Sequence, residues 1–163
     1  MNSLLAHTLE RPPGLIECIT VLDVGAGIRP MAWYKPVRHV CVEPYAPYVE
    51  VLRWSGFEVL ALTARECMAL LGMTGEQFGA VYLLDVIEHM EKDEGQRVLA
   101  LAQQVATAQV VVYTPDGFKE QTSDVWGYGG HEWQTHRSGW TREDFPGWTV
   151  TPHQDALFAV WNA

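Results

Sequence analysis

Length, composition and charge describe one globular domain. The chain has 163 residues, of which 48% are hydrophobic and 19% are charged, so it can bury a core and is not a disordered chain. Its formal net charge of −9 argues against a general phosphate-binding surface, because nucleic-acid affinity comes largely from Lys and Arg. We expect a single domain over residues 1–163.

Cysteine usage and the N-terminus indicate a cytoplasmic location. The cysteines Cys18, Cys41 and Cys67 are odd in number and form no C-x-x-C pair, so neither a disulfide framework nor a zinc knuckle is expected. Residues Met1–Arg11 lack a charged start followed by an apolar run, which predicts no signal peptide. No apolar stretch approaches the roughly 20 residues of a membrane helix, so we expect a soluble protein without a membrane partner.

The first half of the chain alternates apolar runs with amphipathic stretches, which is the pattern of a parallel sheet covered by helices. A buried strand is predicted over Cys18–Val24, and it closes on a glycine turn. Pro30 suits the first position of a helix that follows this turn. The later elements are predicted, in chain order, as a strand over Val37–Glu43, a helix over Tyr48–Trp54, a strand over Phe57–Leu62 and a helix over Ala64–Leu71.

The second half continues the alternation and then changes character. It begins with a predicted strand over Phe78–Leu84, a helix over Asp93–Ala106 and a strand over Gln109–Tyr113. Lys119–Gly139 is rich in Gly, Trp and polar residues with little periodicity, which predicts a long functional loop. Thr141 is expected to cap a last short helix together with Asp144. Two final strands, which could form an antiparallel hairpin, are predicted over Trp148–Thr151 and Ala156–Trp161.

The strongest local signal is the run from Val21 to Pro30, V-L-D-V-G-A-G-I-R-P. Glycines let a backbone approach a ligand closely, and the N-terminus of a following helix would attract an anionic group. Glu43 comes 20 residues after Asp23, at the end of the second strand, where a carboxylate can accept both hydroxyls of a ribose. The dinucleotide pattern G-x-G-x-x-G would need glycine where Pro30 stands, so a nicotinamide-dependent oxidoreductase is disfavoured.

A second signal is the run from Leu83 to Met90, L-L-D-V-I-E-H-M. A predicted strand ends at Asp85, and the polar pair Glu88 and His89 follows it. Ligands of open α/β sheets bind at this edge, outside the carboxyl ends of the strands. The segment therefore belongs to the same predicted site as the glycine turn.

Together these segments resemble the class I S-adenosylmethionine (SAM)-dependent methyltransferases. The resemblance rests on D-x-G-x-G at Asp23–Gly27, on Glu43, on D-x-x-E-H at Asp85–His89 and on the strand and turn Val111–Pro115, in the order of that family. The family usually has a further glycine where Arg29 stands. The resemblance implies SAM as cofactor and an α/β fold, a Rossmann-like three-layer sandwich whose mostly parallel seven-stranded sheet ends in an antiparallel hairpin.

The same resemblance implies which residues would surround the cofactor. Asp23, Gly25 and Gly27 would form the wall around its methionine part, and Glu43 would hold its ribose. The remaining contacts would lie near the adenine, at Pro44 and Thr63, and near the reacting sulfur, at Asp85 and Val86.

A third segment, H-R-S-G-W-T-R-E-D-F from His136, resembles the metal-dependent small-RNA 2′-O-methyltransferases. In that group a strand-four E-x-x-E-H and a histidine before W-T-R-E share a divalent ion, which here implies the ligands Glu88, His89 and His136. Asp85 is one methylene shorter than the first glutamate of that motif. Mg²⁺ prefers oxygen ligands, whereas two imidazoles favour a softer ion such as Mn²⁺. The E-H pair also occurs in methyltransferases that use no metal.

The sequence leaves the acceptor and the catalytic groups open. His89, His131 or His136 could take a proton from an oxygen or nitrogen acceptor near neutral pH. The loop aromatics could cover or stack on a planar substrate, and they are Trp126, Tyr128, Trp133 and Trp140. We expect methyl transfer to an oxygen or nitrogen of a small molecule. The alternatives are an RNA acceptor, which the acidic charge disfavours, and a non-catalytic SAM-binding partner module.

Overall fold

The computed structural model describes residues 9–31 and 33–163. Their strands form one seven-stranded sheet in the order β3-β2-β1-β4-β5-β7-β6. The first five strands are parallel, whereas β7 pairs antiparallel with both β5 and β6. The predicted fold class and its closing hairpin are therefore confirmed. The strands are β1 Thr20–Val24, β2 Arg38–Val42, β3 Glu58–Leu60, β4 Phe78–Leu84, β5 Ala106–Pro115, β6 Thr149–His153 and β7 Ala156–Asn162.

The helices of the described residues are α1 Ala46–Trp54, α2 Ala64–Thr74, α3 Lys92–Val105 and the single turn α4 His131–Gln134. A capping box starts α2, because the hydroxyl of Thr63 accepts the N–H of Glu66 and the carboxylate of Glu66 accepts the N–H of Thr63. Gly75, in the left-handed conformation, ends the helix. None of these helices has the length and apolar character needed to span a membrane.

Side chains on both faces of the sheet are buried. One face packs under α2 and α3 through apolar residues such as Leu22, Val81 and Val112. The other face is covered in part by non-helical chain, in which Leu15 and the ring of Trp33 pack against Tyr82. The alternation of side chains along each strand places neighbouring residues on opposite faces, which explains the continuous apolar runs in the sequence.

The helix predicted to follow the glycine turn is wrong for the described residues. Between β1 and β2, residues 28–31 and 33–37 form turns and bends and no helix. Pro30 and Pro36 account for this, because a residue that precedes a proline is driven away from the helical region. The stretch between the two prolines is too short to stabilise a helix on its own. The expected helix N-terminus is therefore not available to an anion here.

The segment 119–139 crosses the carboxyl edge of the sheet. It consists of turns and α4, and it returns the chain from β5 to the buried Trp140. Beyond it the N–H of Thr141 donates to the carboxylate of Asp144 at 2.8 Å, which starts the short 3₁₀ turn Arg142–Asp144 where a last helix was predicted. The absence of a signal peptide stays a prediction, because most of Met1–Arg11 lies outside the described residues.

Candidate active site

A cleft of about 1130 Å³ opens at the carboxyl ends of β1 and β4. In the sheet, β2 and β3 lie on one side of β1, whereas β4 and β5 lie on the other. The chain reverses its direction of winding between β1 and β4, and open α/β sheets bind ligands at such a switch point. The volume is at the upper end of the range of about 300–1,000 Å³ typical of small-molecule pockets. Seven of the eight residues predicted to contact the cofactor line the cleft, namely Gly25, Gly27, Glu43, Pro44, Thr63, Asp85 and Val86.

The glycine turn requires glycine for both conformation and packing. Gly25 and Gly27 have left-handed φ values of +68° and +58°, which side chains disfavour. A Cβ added to Gly25 would lie 2.7 Å from Cγ2 of Val86. The turn after β1 therefore packs directly against the loop after β4, and the floor of the cleft is built from both.

Glu43 is the buried carboxylate of this floor, with 4% of its surface exposed. Its two oxygens accept one backbone N–H each, from Gly27 at 3.0 Å and from Tyr45 at 2.9 Å. Burial raises the pKa of Glu43 to about 7, although these two hydrogen bonds act in the opposite direction. Because a carboxylate has about four lone-pair sites, each oxygen can still accept a hydroxyl. This is the capacity that a ribose diol requires.

Asp23 lies behind the cleft and is not among the described residues that line it. The carboxylate accepts the N–H of Met31 and faces Nε2 of His39, both at 3.1 Å. Burial raises the pKa of Asp23, while the hydrogen bond with His39 opposes that rise. Asp23 thus shapes the chain that leaves the glycine turn, and its predicted contact with the methionine part of a cofactor stays a prediction.

Asp85 follows β4 in the left-handed conformation, with φ of 56°. For a residue other than glycine this costs roughly 1–2 kcal/mol, and such strain often occurs at functional sites. The backbone N–H of Asp85 donates to the carbonyl of Tyr113 at 2.9 Å, which fixes the turn. Partial desolvation by the cleft walls raises the pKa of Asp85. The sequence places a carboxylate here, but the strained backbone becomes evident only in the structure.

Glu88 is a buried carboxylate with one free oxygen. Its Oε2 accepts the hydroxyl of Thr114 at 3.0 Å, whereas Oε1 has no hydrogen-bond partner among the described residues. Burial raises the pKa of Glu88 well above its ordinary value, and the nearby carboxylate of Asp85 adds to the rise. A buried polar atom without a partner costs free energy, and either a proton on Glu88 shared with Asp85 or a bound ligand would satisfy this oxygen.

His89 and His136 stand together at this end of the cleft, with ring centroids 4.9 Å apart. Nδ1 of His136 donates to the carbonyl of Lys119 at 2.7 Å, and Nδ1 of His89 donates to the carbonyl of Thr135 at 3.4 Å. Both carbonyls accept only, so in the neutral form of each ring the lone pair is on Nε2. Burial and the proximity of His136 lower the pKa of His89 to about 4, so that ring is neutral at physiological pH.

Glu88, His89 and His136 come together as the sequence predicted. Each offers one ligand atom, and the three atoms lie within 4.8 Å of one another. Asp85 is not part of this group. A second group of ligand-type residues, Asp23, His39 and Cys41, lies behind the glycine turn.

Backbone hydrogen bonds bring His136 to this place. The carbonyl of Glu88 accepts the N–H groups of Arg137 and Ser138, at 2.7 and 3.1 Å. The hydroxyl of Ser138 in turn accepts the indole N–H of Trp140 at 2.9 Å. Trp140 is fully buried against Phe145, so its predicted role as a lid or stacking residue is wrong. It anchors the segment that carries His136.

The other predicted loop residues have different positions. Trp126 and Trp133 line the cleft, whereas Tyr128 is exposed and is not among the described residues that line it. His131 is exposed on α4 and is not among the described residues that line the cleft. Its catalytic role stays a prediction.

A hydrogen-bond network around Asp124, which the sequence did not predict, holds the segment 119–139 to α1. The carboxylate of Asp124 accepts the hydroxyl of Tyr48 and the N–H groups of Trp126, Tyr128 and Gly130. Desolvation alone would raise the pKa of Asp124, but these donors lower it to about 2. The side chain of Gln134 belongs to the same network, because its amide donates to the hydroxyl of Tyr48 at 2.7 Å. The signal for it was the spacing of Asp124 and the glycines in D-V-W-G-Y-G-G, which indicates a turn.

Solved structures share this architecture. Magnesium protoporphyrin IX methyltransferase from Synechocystis PCC 6803 with bound SAM aligns over 87% of this chain and 68% of its own, with 12% identity and a TM-score of 0.59. DhpI in complex with SAH aligns over 86% and 74%, with 13% identity and a TM-score of 0.64. The PH0226 protein from Pyrococcus horikoshii OT3 aligns over 88% and 81%, with 16% identity and a TM-score of 0.63.

At the level of sequence, no protein-family model matches the chain, and no curated protein does. The structural similarity agrees with the order of the sequence motifs, which resembles that of the class I SAM-dependent methyltransferases. The chain has the Rossmann-like fold of the class I SAM-dependent methyltransferases.

Proposed function

We propose that the protein is a SAM-dependent methyltransferase that acts on an oxygen or nitrogen of a small molecule. The observation that carries the proposal is Glu43, a buried carboxylate at the end of β2 with spare acceptor sites, bonded to a left-handed glycine turn on the cleft. The bound SAM of the Synechocystis enzyme and the bound SAH of DhpI support the choice of cofactor.

The residues of the cleft fit SAM. Glu43 would accept the ribose hydroxyls, Gly25 and Gly27 leave space for the cofactor along β1, and Pro44 and Thr63 stand towards β3, where the adenine would lie. When bound, SAM supplies a methyl group that its sulfonium makes electrophilic. The work of the protein is then to position the acceptor and to exclude water.

The acceptor's proton would go to a histidine of the cleft. Nε2 of His136 and of His89 is free, because each Nδ1 is engaged by a backbone carbonyl. Either nitrogen could accept a proton from a hydroxyl or amine as it attacks, provided that the same lone pair does not ligate a metal ion. Asp85 and Val86 flank the position next to the glycine turn where the sulfur would lie.

We propose further that Glu88, His89 and His136 hold a divalent metal ion. The free Oε1 of Glu88 and the two free Nε2 atoms fit such an ion, because they include a buried oxygen that has no hydrogen-bond partner among the described residues. The carbonyls behind each imidazole would fix ring orientation as outer partners of metal-bound histidines do. The ion would polarise an acceptor oxygen. Two imidazoles and one carboxylate favour Mn²⁺ over Mg²⁺.

Electrostatics favour a small acceptor over RNA. The net charge is −9, and phosphate binding needs a basic stripe. The cleft is also lined by acidic residues, which are Glu43, Asp85, Glu91, Glu94, Glu120 and Glu132. RNA remains the second candidate acceptor, because Glu88, His89 and His136 resemble the metal ligands of the small-RNA 2′-O-methyltransferases.

The proposal is tested by SAH production from SAM with panels of hydroxyl- and amine-bearing small molecules and short RNAs, with EDTA or with Mn²⁺. We expect turnover with a small molecule that Glu43→Ala abolishes and that the exposed control Glu50→Gln retains. SAM binding without SAH production from any acceptor would instead favour the non-catalytic module.

Metal binding is tested separately by Mn²⁺ titration followed by electron paramagnetic resonance. We expect one site that Glu88→Gln and His136→Ala each remove. His39→Gln, in the second group of ligand-type residues, is the matched control and should leave that site intact. Retention of the Mn²⁺ signal in both Glu88→Gln and His136→Ala would refute the site.

A further inference from the structure

The glycine turn lacks the positive end of a helix. In many open α/β sheets the N-terminus of the helix after the first strand meets an anionic ligand group. Among the described residues between β1 and β2 no helix forms. Arg29, two residues after Gly27, instead places a full positive charge beside the turn and lines the cleft.

The Arg29 guanidinium is held by stacking. Its central carbon lies 5.0 Å from the centroid of the Trp126 ring, and Nε1 of Trp126 would be 3.5 Å from a Cβ on Gly27. Arg29 makes no hydrogen bond or ion pair with any residue of the described ranges 9–31 and 33–163. Stacking on one face orients a guanidinium while its N–H donors remain free at the edge.

The other cations of the cleft are engaged or lie elsewhere. The ammonium of Lys119 donates to the carbonyl of Asp155 at 2.8 Å. The guanidinium of Arg137 donates to three backbone carbonyls, those of His89, Thr135 and Glu132. Arg65 belongs to the first turn of α2, at the opposite end of the cleft near β3. Arg29 is therefore the cation that stands free next to the glycine turn.

We infer that Arg29, oriented by Trp126, binds the α-carboxylate of SAM. This inference rests on the proposed function. If the ribose binds Glu43 at β2 and the adenine lies towards β3, the methionine part would extend towards β1 and the glycine turn, where Arg29 lies. The carboxylate is the anionic group of SAM, and the acidic groups of the cleft, among them Glu43 and Asp85, would repel it. A guanidinium supplies two parallel donors to a carboxylate.

The test compares ligands that differ in the carboxylate alone. Calorimetric titration measures the Kd of SAM and of decarboxylated SAM for the wild type and for Arg29→Gln, an exposed position whose substitution should not affect folding. We expect Arg29→Gln to weaken SAM by about 10-fold or more and to change decarboxylated SAM by less than about twofold. Trp126→Leu should weaken SAM several-fold with the same dependence on the carboxylate.

Arg65→Gln is the matched control, because it removes a guanidinium from the other end of the cleft. It should affect both ligands alike. Equal weakening of the two ligands by Arg29→Gln would overturn the inference, since the side chain would then act through the shape of the turn. Unchanged SAM binding by Arg29→Gln would overturn it too, while leaving the proposed function intact. Failure of the wild type to bind either ligand would refute both.

Discussion

The carboxylate of Glu43 accepts the N–H of Gly27 at 3.0 Å, so one buried side chain joins the end of β2 to the glycine turn after β1. The second oxygen accepts the N–H of Tyr45 and fixes the start of α1. Two neighbouring segments of the sheet edge thus share one acceptor. The group that would bind the cofactor's ribose is therefore positioned before any ligand arrives, which lowers the entropic cost of binding.

Glu43 should make stability depend on pH. Its pKa is raised from 4.5 to about 7 in the folded protein, so between these values the folded state binds more protons than the unfolded state. The contribution is fully present below pH 4.5 and is lost as pH rises through 7. The free energy of unfolding of the wild type minus that of Glu43→Gln should therefore fall by about 2–3 kcal/mol from pH 5 to pH 8.

Denaturant unfolding at the two pH values measures this difference. Taking the change with pH removes the constant cost of placing an amide opposite two N–H donors. Glu50→Gln, an exposed substitution on α1, is the control and should show no such change. A wild-type minus Glu43→Gln difference that is equal at both pH values would show that Glu43 titrates normally.

The sequence predicted the fold closely because its strands are buried apolar runs with sharp boundaries. Phe78–Leu84 was predicted with the bounds that β4 has, and β7 lies within one residue of its prediction. The helix expected after the glycine turn does not form among the described residues, because Pro30 suits a first helical position but Pro30 and Pro36 drive the residues before them away from the helical region. At this place the two prolines outweigh the tendency of such folds to form a helix after the first strand.

The candidate site was predictable where its residues follow strand ends. Glu43 and Asp85 each follow a strand directly, His89 lies in the 3₁₀ turn just beyond β4, and parallel strands end at one edge. Asp23, in contrast, faces His39 from the interior, since strand alternation decides its direction. Asp124 could not be assigned, because its partner Tyr48 lies 76 residues away. The burial of Trp140 could not be predicted, because a buried anchor and an exposed loop aromatic have the same sequence pattern.

The contact between the glycine turn and Val86 can be tested with Gly25→Ala. We expect it to lower the free energy of unfolding by about 2–4 kcal/mol, because the new Cβ meets Val86 and because alanine disfavours a left-handed φ. Gly56→Ala is matched in φ, +85°, but has open space, so it should cost only about 1–2 kcal/mol. Equal losses in the two variants would contradict the close approach.

The buried oxygen of Glu88 leads to an expectation about stability without metal. Glu88→Gln keeps an acceptor for Thr114 and removes a buried carboxylate that lacks a partner on Oε1. In EDTA at pH 8 the variant should be as stable as the wild type, or more stable by about 1–2 kcal/mol. Thermal unfolding provides the measurement. A loss of more than about 1 kcal/mol would mean that Glu88 stabilises the fold through its charge.

The hydrogen-bond network around Asp124 should keep the segment 119–139 ordered. Asp124→Asn keeps the shape but loses acceptor capacity for four donors, so local opening should become easier by about 1–3 kcal/mol. Hydrogen exchange of residues 124–134 reports this directly. Asp116→Asn, at an exposed position, is the control. Unchanged protection in Asp124→Asn would mean that other contacts hold the segment.

The most direct test of the account is calorimetric titration of the purified protein with SAM and with SAH, repeated with Glu43→Ala and with the exposed control Glu50→Ala. We expect the wild type and Glu50→Ala to bind both SAM and SAH with micromolar Kd, and we expect Glu43→Ala to bind neither. Absence of binding of either compound to the wild type would contradict the account.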